Sequence, residues 1–499
     1  MRVAAMTELK RYQMLIGGQW TDAEDGRFFE SLNPATGEAW ALIPEATAAD
    51  VERAVAAAHR AFSEGEWATA TPTARGKYLR RLADLLAERS EDLGRIETID
   101  TGKMLKETRW QAKYIAEFFH YYAGCADKIQ GATLPIDKPE MYAFTTREPL
   151  GVVAAVVPWN SQLFLVAVKI GPALAAGNTV VLKASEHASA AMLEFGRLIE
   201  AAGFPAGVVN IVTGHGDPCG RVLTSHPLVQ RISFTGGPGS ARQVIQNSAN
   251  NFAQVSLELG GKSPFLVFED ADLESAVNGS IAGIFGASGQ SCVAGSRLYL
   301  QEKIADRFLE NMTRQAREIR IGDPLDPETQ MGPLATTAQI SRIETEVAFA
   351  QEQGGKLLTG GKRPARPNNG WYYEPTIVEC PDQKMRIVDT ELFGPVLSVL
   401  RFKDEAEAIR LANDTRYGLA AGVFTRNGAR ALRVTRALRA GIVWVNTYRV
   451  VSPIAEFGGF KESGYGRESG LQAIYDYTRP KTVWINTSDE PLTNPFVMR

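Results

Sequence analysis

The sequence contains little cysteine for its length, and this limits the compartments that suit it. Four cysteines occur among 499 residues, at positions 125, 219, 292 and 380. Cysteines this sparse do not make a disulfide framework, and they indicate a reducing compartment. Residues 1–20 contain no apolar core of a secretory signal before a Gly-Gly turn. We therefore expect a cytoplasmic protein.

Long apolar runs and an excess of positive charge are also absent. No stretch reaches the roughly 18 uncharged apolar residues of a transmembrane helix. The formal net charge is −3, so there is no basic surplus for nucleic acid or a membrane surface. The apolar fraction of 44% is that of an ordinary globular protein, and the length suggests about three domains. We predict no metal site and no nucleic-acid or membrane partner.

Strands and helices alternate through the middle of the chain. Residues 152–157 and 179–182 are apolar, β-branched runs, which are typical of strands buried on both faces of a parallel sheet. Helical patterns separate these strands and the later ones up to residue 259, which predicts a doubly wound α/β sheet. Such sheets bind ligands beyond the carboxyl ends of their strands. Five loops should therefore converge on one crevice: 158–160, 183–186, 213–216, 235–237 and 259–261.

A second α/β pattern begins after residue 264. Before the first pattern, residues 131–149 contain several prolines in an extended segment, which favours an edge or protruding hairpin. Residues 481–486 are predicted as one more strand. Because this strand has no partner of its own, we expect it to pair with the 131–149 hairpin or with another subunit.

One glycine-rich segment, residues 285–297, holds a cysteine among small residues. Gly286, Gly289 and Gly295 let the backbone bend and let a ligand approach Cys292 closely. A structural cysteine is normally packed among large apolar side chains and is inert. The segment alone leaves two interpretations open. Cys292 is a nucleophile, or it is a small core residue in a glycine-rich turn.

Two polar side chains at strand ends are candidate partners for this cysteine. Glu258 ends a strand that two glycines follow, and a carboxylate at a strand end can act as a general base. Asn160 precedes a helix, and its amide can donate to an oxyanion. Taken alone, the first position favours a surface strand residue and the second favours a helix N-cap.

Two further strand ends suit a dinucleotide. Lys183 and Glu186 follow a predicted strand, where an acidic residue can hold ribose hydroxyls and disfavour a 2′-phosphate. A solvated ion pair is the alternative for these two residues. Residues 234–241 form a glycine-rich strand-to-helix turn, which suits a phosphate at a helix N-terminus but lacks the G-x-G-x-x-G spacing.

Taken together, these stretches resemble the aldehyde dehydrogenase superfamily over nearly the whole chain. The matching motifs occur in the family's order, at residues 158–160, 171–178, 183–186, 203–210, 234–236, 257–264, 289–292, 391–396 and 457–468. The resemblance implies an α/β fold with two doubly wound, Rossmann-like domains and a small β oligomerisation domain. It assigns 1–130 and 150–258 to an NAD-binding domain, 259–470 to a catalytic domain, and 131–149 and 478–499 to an oligomerisation hairpin and tail.

The resemblance also implies NAD-dependent oxidation of an aldehyde to the carboxylic acid. Cys292 is then the nucleophile that forms a thiohemiacetal and a thioester, and Asn160 joins the Cys292 backbone N–H in an oxyanion hole. Glu258 activates the hydrolytic water, with Lys169 and Glu468 in a proton path behind it. The site for NAD, with NADP as an alternative, is assigned to Val157, Pro158, Trp159, Lys183, Ser185, Glu186, Gly216, Gly220, Phe234, Thr235, Gly236, Gly237, Leu259, Glu391 and Phe393.

Several positions depart from the family pattern. Gly237 stands where many relatives have a serine that contacts the pyrophosphate, so the phosphate contacts should differ. Gly286 and Val168 stand where some relatives carry large aromatics, which predicts a more open substrate pocket. Arg449 lies in a segment that often contributes to that pocket, and it is a candidate to pair with a carboxylate substrate.

A CoA-acylating relative and a non-catalytic homologue are the alternatives to an enzyme that oxidises an aldehyde hydrolytically. Glu258 argues against a CoA-acylating relative, because a hydrolytic base wastes the thioester. The presence of Cys292 and Asn160 beside it argues against a non-catalytic homologue. Glu186 favours NAD over NADP, and the chain length with its extended tail resembles the homotetrameric members.

Overall fold

The computed structural model describes residues 9–492 and 494–497. Predicted domain and tail residues 1–8, 493, 498 and 499 lie outside this part. The described strands are β1 (Lys10–Arg11), β2 (Met14–Ile16), β3 (Gln19–Thr21), β4 (Phe28–Asn33), β5 (Glu38–Pro44), β6 (Met141–Pro149), β7 (Val152–Val156), β8 (Thr179–Lys183), β9 (Val209–Val212), β10 (Val229–Gly236), β11 (Gln254–Leu259), β12 (Pro264–Val267), β13 (Arg297–Gln301), β14 (Lys356–Thr359), β15 (Thr376–Glu379), β16 (Val396–Phe402), β17 (Ala420–Phe424), β18 (Ile442–Val445), β19 (Gly464–Tyr465) and β20 (Thr478–Asn486).

The helices account for most of the remaining regular structure. The described α-helices are α1 (Ala48–Ser63), α2 (Gly65–Ala68), α3 (Pro72–Glu88), α4 (Ser90–Thr101), α5 (Leu105–Cys125), α6 (Gln162–Ala175), α7 (Ala190–Ala201), α8 (Arg221–Ser225), α9 (Pro238–Ser248), α10 (Leu273–Phe285), α11 (Glu302–Arg317), α12 (Thr337–Glu352), α13 (Arg386–Asp389), α14 (Glu405–Asn413), α15 (Gly428–Ala437) and α16 (Gln472–Tyr475). None of the described helices is both long enough and apolar enough to cross a membrane.

Parallel strands form the centre of the first large sheet. Its order in the described chain is β19-β11-β10-β7-β8-β9-β2-β3, and the strands from β11 to β9 pair in parallel. Both faces are covered by helices. Val180 packs into one apolar cluster and the next residue, Val181, packs into another on the opposite face. This two-sided burial confirms the doubly wound α/β prediction for the first half.

The second large sheet repeats this arrangement. Its order in the described chain is β14-β15-β16-β13-β12-β17-β18, with parallel pairs from β15 to β18. Leu266 and Val267 are successive residues of β12 that pack into separate apolar clusters. The second predicted α/β pattern therefore also forms a sheet that is buried on both faces.

The tail strand pairs within the chain. β20 runs antiparallel to β6 from Thr478 opposite Pro149 to Asn486 opposite Met141. The sequence left two partners open for the tail strand, and the structure pairs it with the 131–149 segment. Within the described residues of that segment, only 141–149 form a regular strand. Residues 132–134 run beside it, with hydrogen bonds to the strand and an isolated bridge between Thr133 and Phe144.

A short strand from the C-terminal part of the chain joins the first sheet. β19 pairs antiparallel with β11, so that Gly464 lies opposite Glu258. This pairing carries the 457–469 segment, which the sequence assigned to the catalytic domain, to the edge of the first sheet. It positions Glu468 near Glu258.

Candidate active site

A cavity of about 980 Å³ is lined by segments from both large sheets. The first sheet contributes the segments at the carboxyl ends of β7, β10 and β11, as parallel topology predicts. Predicted site residues that line the cavity are Pro158, Trp159, Asn160, Thr235, Gly236, Gly237, Glu258, Leu259, Cys292, Glu391, Phe393 and Glu468. Those of the described chain that do not line it are Val157, Lys169, Lys183, Ser185, Glu186, Gly216, Gly220 and Phe234.

The cysteine segment enters this cavity through a tight turn after α10. Residues Gly286–Gly289 form a tight turn in which Ala287 and Ser288 have φ values of 52° and 54°. Non-glycine residues seldom adopt this left-handed conformation, and it often marks a functional constraint. A Cβ at Gly289 would lie 2.1 Å from the main-chain oxygen of Gly394, so only glycine fits there. The turn ends shortly before Cys292, which is half-buried and lines the cavity.

The surroundings of Cys292 keep its thiol protonated. Burial, followed by the negative charges of Glu391 and Glu258, raises its pKa to about 12. A thiol in this environment needs a base when it reacts. The other three cysteines are buried and free, and among the described residues no cluster of three or more His, Cys, Asp or Glu side chains is arranged to hold a metal ion.

The amide of Asn160 reaches across to the cysteine segment. Its Nδ2 donates to the main-chain oxygen of Gln290 at 3.1 Å, and the side chain is buried. The helix-cap interpretation is therefore wrong, because the N-cap of α6 is Ser161. An amide carries two N–H groups, so this bond leaves one for a ligand oxygen.

Glu258 is a buried residue and not a surface one. It lies on β11 between Thr235 of β10 and Gly464 of β19, and it is 4% exposed. Neither carboxyl oxygen accepts a hydrogen bond from any residue that the structure describes. Burial and then the charge of Glu468 raise its pKa well above the usual range, against the effect of Lys169. A raised pKa makes a carboxylate a stronger base.

Lys169 and Glu468 form a buried ion pair behind Glu258. Lys169 Nζ bonds to Glu468 Oε1, and it also donates to Ser233 Oγ at 3.1 Å. Ser233 Oγ donates to the same Glu468 oxygen at 3.2 Å. Lys169 is fully buried and does not border the cavity, whereas Glu468 does. The pair thus connects the sheet interior to the cavity wall.

An aromatic and acidic wall lines another part of the cavity. Trp159 and Phe393 make an edge-to-face contact with ring centroids 5.5 Å apart. Glu391 Oε1 accepts a hydrogen bond of 2.9 Å from the Gly261 N–H, and burial raises the Glu391 pKa to about 7. Thr235 Oγ1 is buried on this wall with no hydrogen-bond partner among the described residues.

The end of β8 lies beside this wall. The main-chain oxygen of Lys183 accepts a hydrogen bond of 3.2 Å from the Val157 N–H. The side-chain Nζ of Lys183 lies 3.6 Å from Glu186 Oε2. Burial raises the Glu186 pKa, but the charge of Lys183 together with a main-chain hydrogen bond and two nearby histidines lowers it by more, so the net pKa is lowered. A Cβ at Gly220 would lie 3.7 Å from Lys183 Cδ, so Gly220 borders the same side chain. Gly216 begins the neighbouring turn, which ends at Gly220. Ser185 Oγ accepts a hydrogen bond from the His187 N–H at 3.3 Å.

The amino-acid sequence matches a known family. The family model for the aldehyde dehydrogenase family matches residues 20–483. The chain belongs to the aldehyde dehydrogenase family. This membership confirms the sequence-based resemblance.

Two relatives of this aldehyde dehydrogenase match nearly its whole length. It is 56% identical over 493 residues to the (Z)-2-((N-methylformamido)methylene)-5-hydroxybutyrolactone dehydrogenase of Acinetobacter baylyi, across 98% of this chain and 100% of that protein. It is 41% identical to the betaine aldehyde dehydrogenase of Bacillus subtilis, across 95% of this chain and 97% of that one.

Solved structures agree with this fold. A putative aldehyde dehydrogenase from Burkholderia cenocepacia superposes with a TM-score of 0.95 at 44% identity, across 98% of this chain and 99% of that one. The betaine aldehyde dehydrogenase of Staphylococcus aureus in complex with NAD⁺ has a TM-score of 0.96 at 39% identity, across 98% of each chain. The predicted aldehyde dehydrogenase-like fold class is confirmed.

One side of the aldehyde dehydrogenase cavity was missed by the sequence reasoning. α5 contributes Glu107, Trp110, Gln111 and Tyr114, and Trp110 stacks on Tyr114 with ring centroids 4.9 Å apart. These positions follow i, i+3, i+4, i+7 spacing, so they share one helix face. The mixture of polar and aromatic side chains on this face of α5 could have indicated a binding surface. The sequence does not show, however, which part of the protein that face contacts.

Proposed function

We propose that this enzyme oxidises an aldehyde to the carboxylic acid with NAD, and that Cys292 is the nucleophile. The observation that carries the proposal is the meeting of Cys292, Asn160 and Glu258 on one cavity, although they come from three separate segments. A thiol, an amide donor and a carboxyl group with a raised pKa are the set that aldehyde oxidation through a thioester requires.

The first half of the reaction builds a covalent adduct on Cys292. Sγ gives up its proton to solvent water, which can reach the half-buried Cys292, and attacks the aldehyde carbon, so that the carbonyl oxygen becomes an oxyanion. The free N–H of Asn160 and the backbone N–H of Cys292 stabilise that charge. Bound NAD supplies a hydride acceptor. When the thiohemiacetal carbon loses its hydride and its oxygen re-forms the carbonyl, Cys292 carries a thioester.

The second half releases the acid. Glu258 removes a proton from a water molecule, whose oxygen attacks the thioester carbon. The carbon–sulfur bond then breaks, the carboxylic acid leaves, and the Cys292 sulfur takes the proton that Glu258 received from water. We assign Lys169 and Glu468 to proton exchange with Glu258, because the ion pair lies behind it and one partner reaches the cavity.

The residues around Trp159 fit a dinucleotide. The buried Thr235 Oγ1 lacks a partner among the described residues, and a Cβ at Gly237 would meet nothing within 4 Å. Gly237 precedes α9, so the open helix N-terminus suits a phosphate. The ionised Glu186 favours ribose hydroxyls over a 2′-phosphate, and we therefore propose NAD ahead of NADP.

The name of the Acinetobacter relative is compatible with aldehyde oxidation. That protein is a dehydrogenase of a 5-hydroxybutyrolactone. A lactone with a hydroxyl on C5 is in general the ring form of a 4-oxo acid, which contains an aldehyde. Dehydrogenation removes two electrons from that carbon, as oxidation of an open aldehyde to the acid does.

We also propose that the enzyme works in the cytoplasm as a homotetramer, with the β6–β20 ribbon and the tail as part of the contact. The supporting observation is the exposure of large apolar side chains on this ribbon, where Tyr142, Trp484 and Ile485 are each about half exposed. Light scattering after gel filtration measures the mass, and Trp484→Lys should lower it.

NADH absorbance tests the proposed reaction directly. Protein and NAD are mixed with a panel of aldehydes, with and without CoA. NADH should form without CoA, and Cys292→Ala should abolish it while Cys125→Ala, a cysteine away from the cavity, should not. Strict dependence on CoA would favour the acylating activity. No NADH with any aldehyde would favour a non-catalytic homologue.

A further inference from the structure

The substrate side of the cavity carries a chain of three charged groups. Arg449 Nη2 lies 3.6 Å from Glu107 Oε1, and Lys103 Nζ lies 3.6 Å from the same carboxylate oxygen. Arg449 and Glu107 line the cavity. Lys103 is buried beneath them, where its Nζ donates to Gln111 Oε1 and to Ser161 Oγ.

The guanidinium of Arg449 keeps most of its donors free. Its Nη1 donates to the main-chain oxygen of Ala282 at 3.2 Å, and within the described chain this is its one hydrogen bond. The distance to Glu107 exceeds that of a hydrogen bond. A guanidinium has five N–H donors in a planar fork that matches a carboxylate. Arg449 can therefore accept a further planar anion.

The backbone reserves space for this guanidinium. A Cβ at Gly286 would lie 2.3 Å from Arg449 Nη1. The guanidinium therefore occupies the space that a side chain at position 286 would need. Arg449 itself has a φ of 62°, in the left-handed region that non-glycine residues seldom adopt. Such strain persists only where the surroundings demand it, and it is frequent at ligand sites.

The charge balance of this wall is positive. Two cations, Lys103 and Arg449, share the single carboxylate of Glu107. Burial raises the Glu107 pKa, but Lys103 and then Arg449 outweigh it and lower the net pKa, so Glu107 stays ionised. Glu97 is the other acid near Lys103, and burial raises its pKa to about 7, so it carries only part of a charge at neutral pH.

Apolar surface surrounds the guanidinium. Trp110 and Val450 line the same wall and are 57% and 60% exposed. Val451 also lines the wall, and its main-chain oxygen accepts from the Tyr114 hydroxyl at 2.9 Å. A ligand here has an apolar body with one anionic end.

We propose that Arg449 selects aldehydes that carry a carboxylate at the end remote from the reacting carbonyl. This inference rests on the proposed function, and it adds the substrate class that the same cavity prefers. Cys292 reacts with the aldehyde end while Arg449 binds the carboxylate. The substrate carboxylate binds the guanidinium of Arg449 either beside the Glu107 carboxylate or in its place.

Matched substrate pairs test this selection. The value of kcat/KM is measured for 4-formylbenzoate against 4-methylbenzaldehyde, and for 4-oxobutanoate against pentanal. The wild-type enzyme should favour each carboxylate. In Arg449→Gln this preference should fall about 10- to 100-fold, through KM for the carboxylates, since a charge-assisted hydrogen bond is lost. Arg449→Lys should restore part of it.

The control is Arg433→Gln, which removes the same charge at an exposed position bonded to Glu405. It should keep the wild-type preference. An equal fall for both members of each pair in Arg449→Gln would overturn the proposal, as would a wild-type preference for glyceraldehyde 3-phosphate over 4-oxobutanoate. Oxidation of the neutral aldehydes reports separately on the proposed function, and its absence in the wild type would remove that function first.

Discussion

The amide of Asn160 donates to the main-chain oxygen of Gln290, two residues before Cys292, at 3.1 Å. This bond joins the loop after β7 to the cysteine segment, and so fixes the amide beside the thiol. One of the two N–H groups of the Asn160 amide is therefore held in a fixed orientation by the protein itself. The second N–H is then pre-organised, which is the condition for efficient stabilisation of a developing charge.

Asn160→Ala should therefore reduce turnover much more than binding. Loss of one oxyanion donor typically costs about 100- to 1,000-fold in kcat. We expect a fall of that order with little change in KM, measured by steady-state NADH formation. Asn250→Ala, at an exposed surface position, is the matched control. An Asn160→Ala enzyme with undiminished kcat would remove this residue from the oxyanion hole.

Asn160 also illustrates what the sequence can and cannot predict. Parallel strand topology places its loop at the carboxyl edge of the sheet, and the alternating pattern predicts that correctly. The choice between a helix cap and an oxyanion donor depends on a contact with Gln290, 130 residues away. Local pattern carries no information about that contact, so position alone favoured the wrong choice.

Glu258 and Arg449 show the same limit in different ways. Glu258 lies one residue before the end of β11. Its burial depends on β19, a two-residue strand from far along the chain that no periodicity reveals. Arg449 was recognised as a pocket candidate only through the family resemblance. Its pairing with Glu107 requires α5 to face the cavity, and the amphipathic pattern of α5 shows which residues share a face but not what they meet.

Glu258→Gln should separate hydride transfer from hydrolysis. The amide cannot take a proton from water, whereas attack by Cys292 and hydride loss still occur once. We expect a burst of up to one NADH per active site followed by turnover slower by about 100-fold or more. Stopped-flow absorbance resolves the two phases. Glu310→Gln, on the exposed side of α11, should behave as the wild type, and unchanged steady-state turnover in Glu258→Gln would contradict the assigned role.

The pH profile should report on the same carboxyl group. Burial and then Glu468 raise the pKa of Glu258, so the basic form is depleted as the pH falls. Deacylation should therefore slow on the acid side, with an inflection well above the value of about 4.3 for an exposed glutamate. Single-turnover release of the acid from the thioester, followed against pH, measures it. A rate that stays flat down to pH 5 would be inconsistent with Glu258 as the base.

Lys169→Met should destabilise the fold by about 3–5 kcal/mol, because it leaves Glu468 as a buried charge without its partner. The midpoint of urea unfolding measures the loss. Lys169→Met combined with Glu468→Gln removes both charges and should recover part of the stability, which a double-mutant cycle quantifies. If the double variant were no more stable than the single one, the pair would not interact as the distances indicate.

Gly286→Ala should displace the guanidinium of Arg449. Gly286 has φ −58° and ψ 138°, which alanine adopts freely, so the added methyl group conflicts only with Nη1 of Arg449 at 2.3 Å. We expect the preference for 4-formylbenzoate over 4-methylbenzaldehyde to fall about 10-fold, a smaller loss than in Arg449→Gln. Gly428→Ala, where a methyl group would meet nothing within 4 Å, is the control.

Adding Gly286→Ala to Arg449→Gln should produce no further loss of this preference, because both changes act through one guanidinium. A full additional loss in the double variant would show instead that Gly286 shapes the pocket independently of Arg449.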